Sequence, residues 1–468
     1  MLGCFIIKYI LESRDRKIMK ARDSKKFRHK GYKNNCIKTI MGEVEYKRAV
    51  YLFEEDEEKK YVYLLDEDMK IETIGKVSVN LAEKALAVAV NTTSYRKGAE
   101  EITNMTNETI SHEGLRDIVL KVGEKIEEKE EEEIELYDKE KIVKGTKEIV
   151  ALFEEADGLW VNLQGKERAE QIEKYQKQCE KKGREFKEPK SVKTEVKLHV
   201  TYEGWKKDDE RHSLVNKSYI AGIMKPKEIA RLRDARVFSQ YDESKIKLRA
   251  TNGDGAKWTK GITAKGGIYQ KDQFHIMQEI VRDVPIEYRN IFIELINKKE
   301  FEKIQAAIDG LKYELNGEYE AVKKLNKLES YLSSDLERYQ DIVEIPEAPE
   351  GIEYRNMGTQ ESQIFSKLKK RFCSGRKAFG IHGANALSKI CVLSEKFNID
   401  ELETPIPIDT SVEDWIKEIE ENVKANKQHR ANRKETEENK EIKNVIVNSK
   451  FMKEIMKLKE FSEMRCSF

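Results

Sequence analysis

The chain offers almost nothing to a soft or borderline metal. Its six cysteines stand at positions 4, 36, 179, 373, 391 and 466, none in a CxxC pair, and its seven histidines are scattered. That spacing argues against a structural zinc site and against a disulfide framework, and the thiols read as reduced and cytosolic. Long apolar runs are also missing. The opening MLGCFIIKYILES is too short to span a bilayer. It lacks a basic n-region and a small-residue cleavage site, so it reads as a helix start rather than a signal. No membrane partner is expected. Apolar residues make up 38% against 37% charged, below the usual globular share. That suffices for a core in 468 residues but predicts long solvated helices. Nor is there an excess of one charge: 88 Lys/Arg face 87 Asp/Glu, for a net of +1. The balance hides local blocks. Residues 1–50 hold 14 bases and 5 acids, and residues 124–141 hold 10 acids and 4 bases.

Hydrophobic periodicity divides the chain. Residues 1–30 alternate apolar and basic residues at helical spacing. IKTIMGEVEYKRAVYLF and KKYVYLLDEDM, joined by the acidic EEDEEKK, predict a β-hairpin near 37–65. SVNLAEKALAVAVNT and SYRKGAEEITN predict helices capped by Ser78 and Ser94, and TISHEGLRDIVLKVGEKI a third. A short helix, a polar break and a longer helix make a helix-turn-helix rhythm. It puts His112, Arg116 and Lys121 towards a DNA groove if it is not an ordinary bundle. These pieces make an N-terminal DNA-binding region, 1–123, followed by an acidic helical linker, 124–147. Strand patterns then dominate 148–285, antiparallel strands first and strand–helix units after, as in a mixed α/β domain. Residues 286–345 carry a helical period, with Ile291, Ile293, Leu295, Ile304, Ile308 and Leu311 as the buried face, and read as an all-helical insertion. Pro346 and Pro349 punctuate a turn. Two helices in 346–404 complete the core, and 405–468 is a charged helical tail.

Three stretches hold a lone carboxylate in suggestive surroundings: FEEADGLWV (Asp157), LRATNGDGAKW (Asp254) and MGTQESQIFSKLKKR (Glu361). The first two acids follow strand-like runs and the third opens a basic helix. An isolated Asp after a strand is usually a turn residue or cap, but three in the order strand–strand–helix suit a two-metal phosphodiester site. Such a site needs carboxylate oxygens around Mg²⁺ or Mn²⁺ rather than Cys or His. Gly158 and Gly255 follow the two Asp residues and would let a phosphate backbone come close. Trp160 and Trp258 are expected either to wall the site or to anchor the core. Lys367, Lys369, Lys370, Arg371, Arg376 and Lys377 form a run without an acid, expected to clamp phosphates. Glu353 competes with Glu361 for the third place.

In GEVEYKRAVYLF, YVYLLDEDM, SVNLAEK, SYRKGAEEI, LFEEADGLWVNLQG, VTYEGWK, NGDGAKW, QKDQFHI, MGTQES and HGANALSKI, in this order, the chain resembles the ISLre-type insertion-sequence transposases. These are DDE enzymes with a ribonuclease-H-like core. The resemblance implies an α/β multi-domain protein whose ribonuclease-H-like mixed sheet carries the helical insertion. It implies Asp157, Asp254 and Glu361 as catalytic, metal-binding acids for two Mg²⁺ or Mn²⁺ ions, with Asp272 and His275 supporting them or positioning DNA. It departs from the family at Phe379, where a Trp is expected, and near Lys370, where an Arg is expected. The implied partners are double-stranded DNA, as element ends and target, and further copies of the chain. The implied location is the nucleoid in the cytoplasm. Two other functions fit the same residues: a DNA-binding regulator with a decayed site, and a metal nuclease without strand transfer.

Overall fold

The computed structural model describes residues 2–407 except 56–57, 70, 72–73, 107, 209–210, 334–347, 374, 376 and 394–397. Arg376, Pro346 and the tail beyond residue 407 therefore lie outside the described residues.

The N-terminal helix is shorter than its charge pattern suggests. Helix α1 (Leu2–Ala21) gives way to a three-stranded antiparallel sheet of β1 (Phe27–Thr39), β2 (Gly42–Glu55) and β3 (Glu58–Val62). The hairpin expected around EEDEEKK is the β2–β3 half of this sheet. Residues 27–30, expected in the helix, are strand because their rings pair across to β2, Phe27 on Phe53 at 5.3 Å and His29 on Tyr51 at 5.9 Å. One side of α1 packs through Leu11 on Ile37, Val44 and Tyr46, and on Leu65 of the short helix α2 (Leu64–Asp68).

Helices α3 (Val79–Asn91), α4 (Tyr95–Met105) and α5 (His112–Asp138) start at serines. Ser78 Oγ accepts from Leu81 N at 3.3 Å, Ser94 Oγ from Lys97 N at 3.2 Å and Ser111 Oγ from Gly114 N at 3.0 Å. Helix α5 runs unbroken through 123/124, where composition suggests a boundary. Its buried stripe of Leu115, Ile118, Val119, Val122 and Ile126 crosses that point. The acidic block is part of this helix rather than a linker, with Glu128, Glu131 and Glu132 exposed and Glu130 buried on Lys389. Helices α3 to α5 share one apolar core with the main sheet, so they are not a module apart from it. The described residues up to Pro407 form one compact unit.

The main sheet has five strands in the order β10-β9-β4-β5-β8. The elements run β4 (Ala151–Asn162), α6 (Gly165–Lys181), β5 (Lys193–Tyr202), a small hairpin of β6 (Trp205–Asp208) and β7 (Arg211–Leu214), β8 (Ser218–Gly222), α7 (Pro226–Gln240), β9 (Leu248–Gly253), α8 (Lys257–Gly261), β10 (Ile268–Lys271) and α9 (Gln273–Asp283). Strands β4, β5 and β8 pair antiparallel, while β9 and β10 join parallel to β4. This is the mixed α/β sheet expected, antiparallel strands first. HSLVNKSYIAGIM, expected as one strand, divides between β7 and β8. Helix α7 carries no clear sequence signal, because Arg233 is buried in its apolar stripe beside Ile229 and Leu232.

Helices α10 (Arg289–Asn297), α11 (Phe301–Glu314) and α12 (Tyr319–Ser333) fill the segment expected to be helical. Ile304, Ile308 and Leu311 are buried as expected, but in α10 the core positions are Phe292 and Ile296, and Ile291 is exposed. Helices α10 and α12 pack on α9, whose Ile276 and Ile280 are buried, and α11 joins the same core through α10 and α12. Then come α13 (Gln360–Ile364), a π-turn (Phe365–Lys369), α14 (Lys370–Phe372) and α15 (Ile381–Val392). Among the described residues no helix is long and apolar enough to cross a membrane.

Candidate active site

Strand β4 is covered on both faces, so each of its three acids needs a partner inside the protein. Successive side chains alternate between faces. Glu154 points to the α7 side. It accepts from Arg233 Nη1 at 3.0 Å and Arg249 Nη2 at 2.6 Å, with His199 Nε2 at 3.4 Å. Burial alone would raise its pKa, but Arg233, His199 and Arg249 outweigh it and hold the carboxyl well below the usual range. Glu155 and Asp157 point the other way. Glu155 accepts from Tyr202 Oη at 2.7 Å, Thr359 Oγ1 at 3.0 Å, Gly358 N at 3.2 Å and Gln360 N at 2.9 Å. It thus ties the start of α13, one residue before Glu361, to the central strand.

Asp157 sits within β4 rather than at its end, since β5 pairs along the whole strand. On the parallel side, however, the last pair is Ala156↔Gly253. Asp157 and Asp254 are each the next residue after that pair, so adjacent strands present the two acids together. The Asp157 carboxyl is 7% exposed. Burial first, then the charges of Asp254 and Glu361, push it up to about 7 against His275 and the Gly158 N–H. Asp254 Oδ1 accepts from Ala256 N at 2.8 Å and Thr259 Oγ1 at 3.1 Å, which fixes its loop. Glu361 Oε1 accepts from Lys369 Nζ at 2.5 Å. Glu353 lies exposed in the coil ahead of α13, so Glu361 is the acid whose charge acts on Asp157.

His275 completes the group. Its Nε2 is 3.9 Å from Asp157 Oδ2, and its Nδ1 is 2.8 Å from Asp272 Oδ2. Asp272 also caps α9 through His275 N at 3.2 Å and accepts from Asn252 Nδ2 at 3.1 Å. Burial disfavours the imidazolium, yet Asp272, Asp157 and Asp254 outweigh it and raise the His275 pKa. Gln360 is 2% exposed, and its Oε1 has no hydrogen-bond partner among the described residues. Tyr331 of α12 donates to the Asp254 carbonyl at 3.0 Å, and Lys271 lies 3.4 Å over its ring.

The two glycines and two tryptophans have other work than the sequence suggests. A Cβ at Gly158 would lie 2.2 Å from Glu195 Oε1, the acceptor for Trp258 Nε1 at 3.1 Å. Gly255 adopts φ +89°, and a Cβ there would meet Lys271 Cε at 2.6 Å. Both glycines serve internal packing rather than the approach of a phosphate. Trp160 faces away from Asp157 and is exposed, and Trp258 packs with Ile229 and Ile262 behind the sheet, so neither walls the acids.

The basic run likewise divides. Lys369 is spent on Glu361. Arg371 is 3% exposed and donates to Ala89 O at 2.8 Å, and Lys377 donates to Arg371 O at 2.8 Å. These three hold the fold together and are not a phosphate clamp. Lys367 and Lys370 line a cavity instead. Arg116, on α5, is exposed, with Asp117 Oδ1 4.0 Å away. Phe379, in the place of the expected Trp, packs on Phe372 at 4.8 Å.

These residues all fall within one family match. The chain belongs to the uncharacterised protein family UPF0236. The family's model matches residues 1–186 and 179–403. The UPF0236 match thus takes in Asp157, Asp254, Asp272, His275 and Glu361, and its two segments overlap at the end of α6. No curated protein matches the chain.

Glu155 and Gln360 lie inside LFEEADGLWVNLQG and MGTQES without standing out there, and Tyr331 carries no local motif. Only Glu155 was open to inference, since a residue two before Asp157 on a strand must share its face.

Proposed function

We propose that this protein is a DDE-type DNA transposase that cleaves element ends and joins them to target DNA. What carries the reading is convergence: the charges of Asp254, the residue after β9, and of Glu361 on α13 both act on Asp157 of β4, though 97 and 107 residues separate the three in sequence (254 − 157 and 361 − 254). An antiparallel three-strand half joined to a parallel two-strand half, central strand first in sequence, supports a ribonuclease-H-like core.

The donors fit a hard divalent ion, being carboxylate oxygens with more negative charge than the neighbourhood balances. Mg²⁺ or Mn²⁺ held by Asp157, Asp254 and Glu361 would supply activation of the attacking oxygen and relief of charge on the leaving one. Among the described residues no three His, Cys, Asp or Glu side chains already stand as a ligand set, and Glu361 would have to give up Lys369. His275, oriented by Asp272, stands ready to donate from Nε2 to a phosphate oxygen beside Asp157. Glu155 keeps α13 in place while this happens.

The test is a strand-transfer assay with labelled element ends, supercoiled target and Mg²⁺ or Mn²⁺. Metal-dependent joined product is expected. Cleavage without joining would assign a nuclease instead, and DNA binding without cleavage a regulator.

A further inference from the structure

A cavity of about 610 Å³ lies beside the acids without containing any of them. Lys217, Lys367 and Lys370 line it together with the apolar side chains of Val90 and Ile390 and the ring of Tyr219. Lys367 Nζ lies 5.1 Å over that ring. Among the described residues, none of the three lysines has a carboxylate partner and no Asp or Glu lines the cavity. In a chain with 88 bases and 87 acids, where Lys369 of the same helical stretch is paired, three unpaired ammonium groups at one opening are a selective arrangement. The volume falls in the range of small-ligand sites. A ligand that suits it has a flat apolar body and a negative edge.

The position is as telling as the composition. Across the sheet, Tyr219 pairs with Val200, and Val200 with Glu155. Directly paired residues share a face, so Tyr219 stands on the Glu155 and Asp157 side, two strand spacings away, or ~10 Å. Gln363 accepts from Tyr219 Oη at 2.6 Å and lies two residues from Glu361. The helical stretch that brings the third acid therefore also brings two of the lysines.

We propose that this cavity holds a nucleotide of a DNA strand next to the cleaved bond, its phosphate on Lys217, Lys367 and Lys370 and its base against Val90, Ile390 and the Tyr219 ring. The proposal rests on the transposase reading for the identity of the strand. Base and phosphate are held by the separate means that single-strand binding uses, ring or apolar stacking and a basic edge.

The experiment measures fluorescence anisotropy of a labelled single-stranded oligonucleotide with the full chain in chelator, so that no cleavage occurs. The triple variant Lys217→Gln, Lys367→Gln, Lys370→Gln should bind at least about 10-fold more weakly, with a salt slope smaller by about 2, at ~0.7 per contact. Should that variant not melt cooperatively, Lys217→Gln alone, in the exposed turn before β8, should lower the slope by ~0.7. Unchanged affinity and slope would overturn the proposal. Competition identifies the source: the single strand should displace the probe better than a matched duplex or dAMP. Displacement by dAMP at the same concentration would make this a free-nucleotide site and overturn the strand assignment. Metal-dependent cleavage is read separately in the same wild-type sample. Its failure would overturn the transposase reading without touching the binding result.

Discussion

Glu154 and Asp157 are buried carboxylates three residues apart on one strand, and they live in opposite electrostatic worlds. Glu154 has two arginines and a histidine within hydrogen-bond reach and stays ionised far below the usual range. Asp157 has no arginine. Among the described residues the cation beside it is a histidine at 3.9 Å already committed to Asp272, and burial, helped by two further acids, raises it to about 7. A buried acid with its charge answered is part of the architecture. A buried acid with its charge unanswered is an instability that persists only where something outside the chain is to answer it.

The sharpest way to break the comparison is to neutralise each acid in turn. Asp157→Asn should reduce metal-dependent cleavage by about 10³-fold or more while stability holds or rises, measured by product formation and denaturant unfolding. Glu154→Gln should do the reverse, leaving Arg233 and Arg249 with the half-buried Asp234 as their shared acid at a cost of about 3 kcal/mol. A Glu154 variant of unchanged stability would show that the arginines are satisfied elsewhere.

The difference also has a pH signature in metal-free protein. Between the ordinary carboxylate value and about 7, folded Asp157 keeps a proton that the unfolded chain has lost. Raising the pH through that window therefore destabilises the fold, by up to about 4 kcal/mol. Asp157→Asn removes the effect, so the wild type should lose stability relative to the variant between pH ~4.5 and ~7.5 in chelator. A constant difference would contradict the raised carboxyl.

Smaller effects test how the helical segment supports the site. Ile280 on α9 is fully buried in the core shared with α10 to α12, and Ile280→Ala should cost about 2–4 kcal/mol. Tyr331→Phe removes one hydrogen bond to the Asp254 carbonyl and should cost about 1 kcal/mol, while slowing cleavage more than stability alone explains. Equal rates would return the segment to a packing role. Replacing 286–345 by a linker is the blunter probe, since it strips the buried face of the helix that carries His275.

The sequence made legible what local pattern encodes. Asp157 and Asp254 stand out because strand-like runs precede them, Ser78 and Ser94 because caps are short-range, and Asp272 and His275 through resemblance. What stayed hidden is long-range. Helix α7 escapes because Arg233 is buried in its stripe on an acid 79 residues away. Glu155 looks like one more surface acid until its partners, Thr359 and Gln360, are seen. The run from Lys367 to Lys377 reads as one basic face. Yet the helix turns each residue to a different neighbour: an acid for Lys369, a backbone carbonyl for Arg371, a cavity for Lys367 and Lys370. Composition cannot distinguish these fates, because each depends on what packs opposite.

That Asp157, Asp254 and Glu361 form one divalent-ion site is tested most directly by calorimetric titration of Mn²⁺ into the full chain and its Asp157→Asn, Asp254→Asn and Glu361→Gln variants. Wild type should bind, and each variant should bind at least about 10-fold more weakly, as loss of one ligand from a shared site requires. Equal affinity in all four proteins would contradict the shared site.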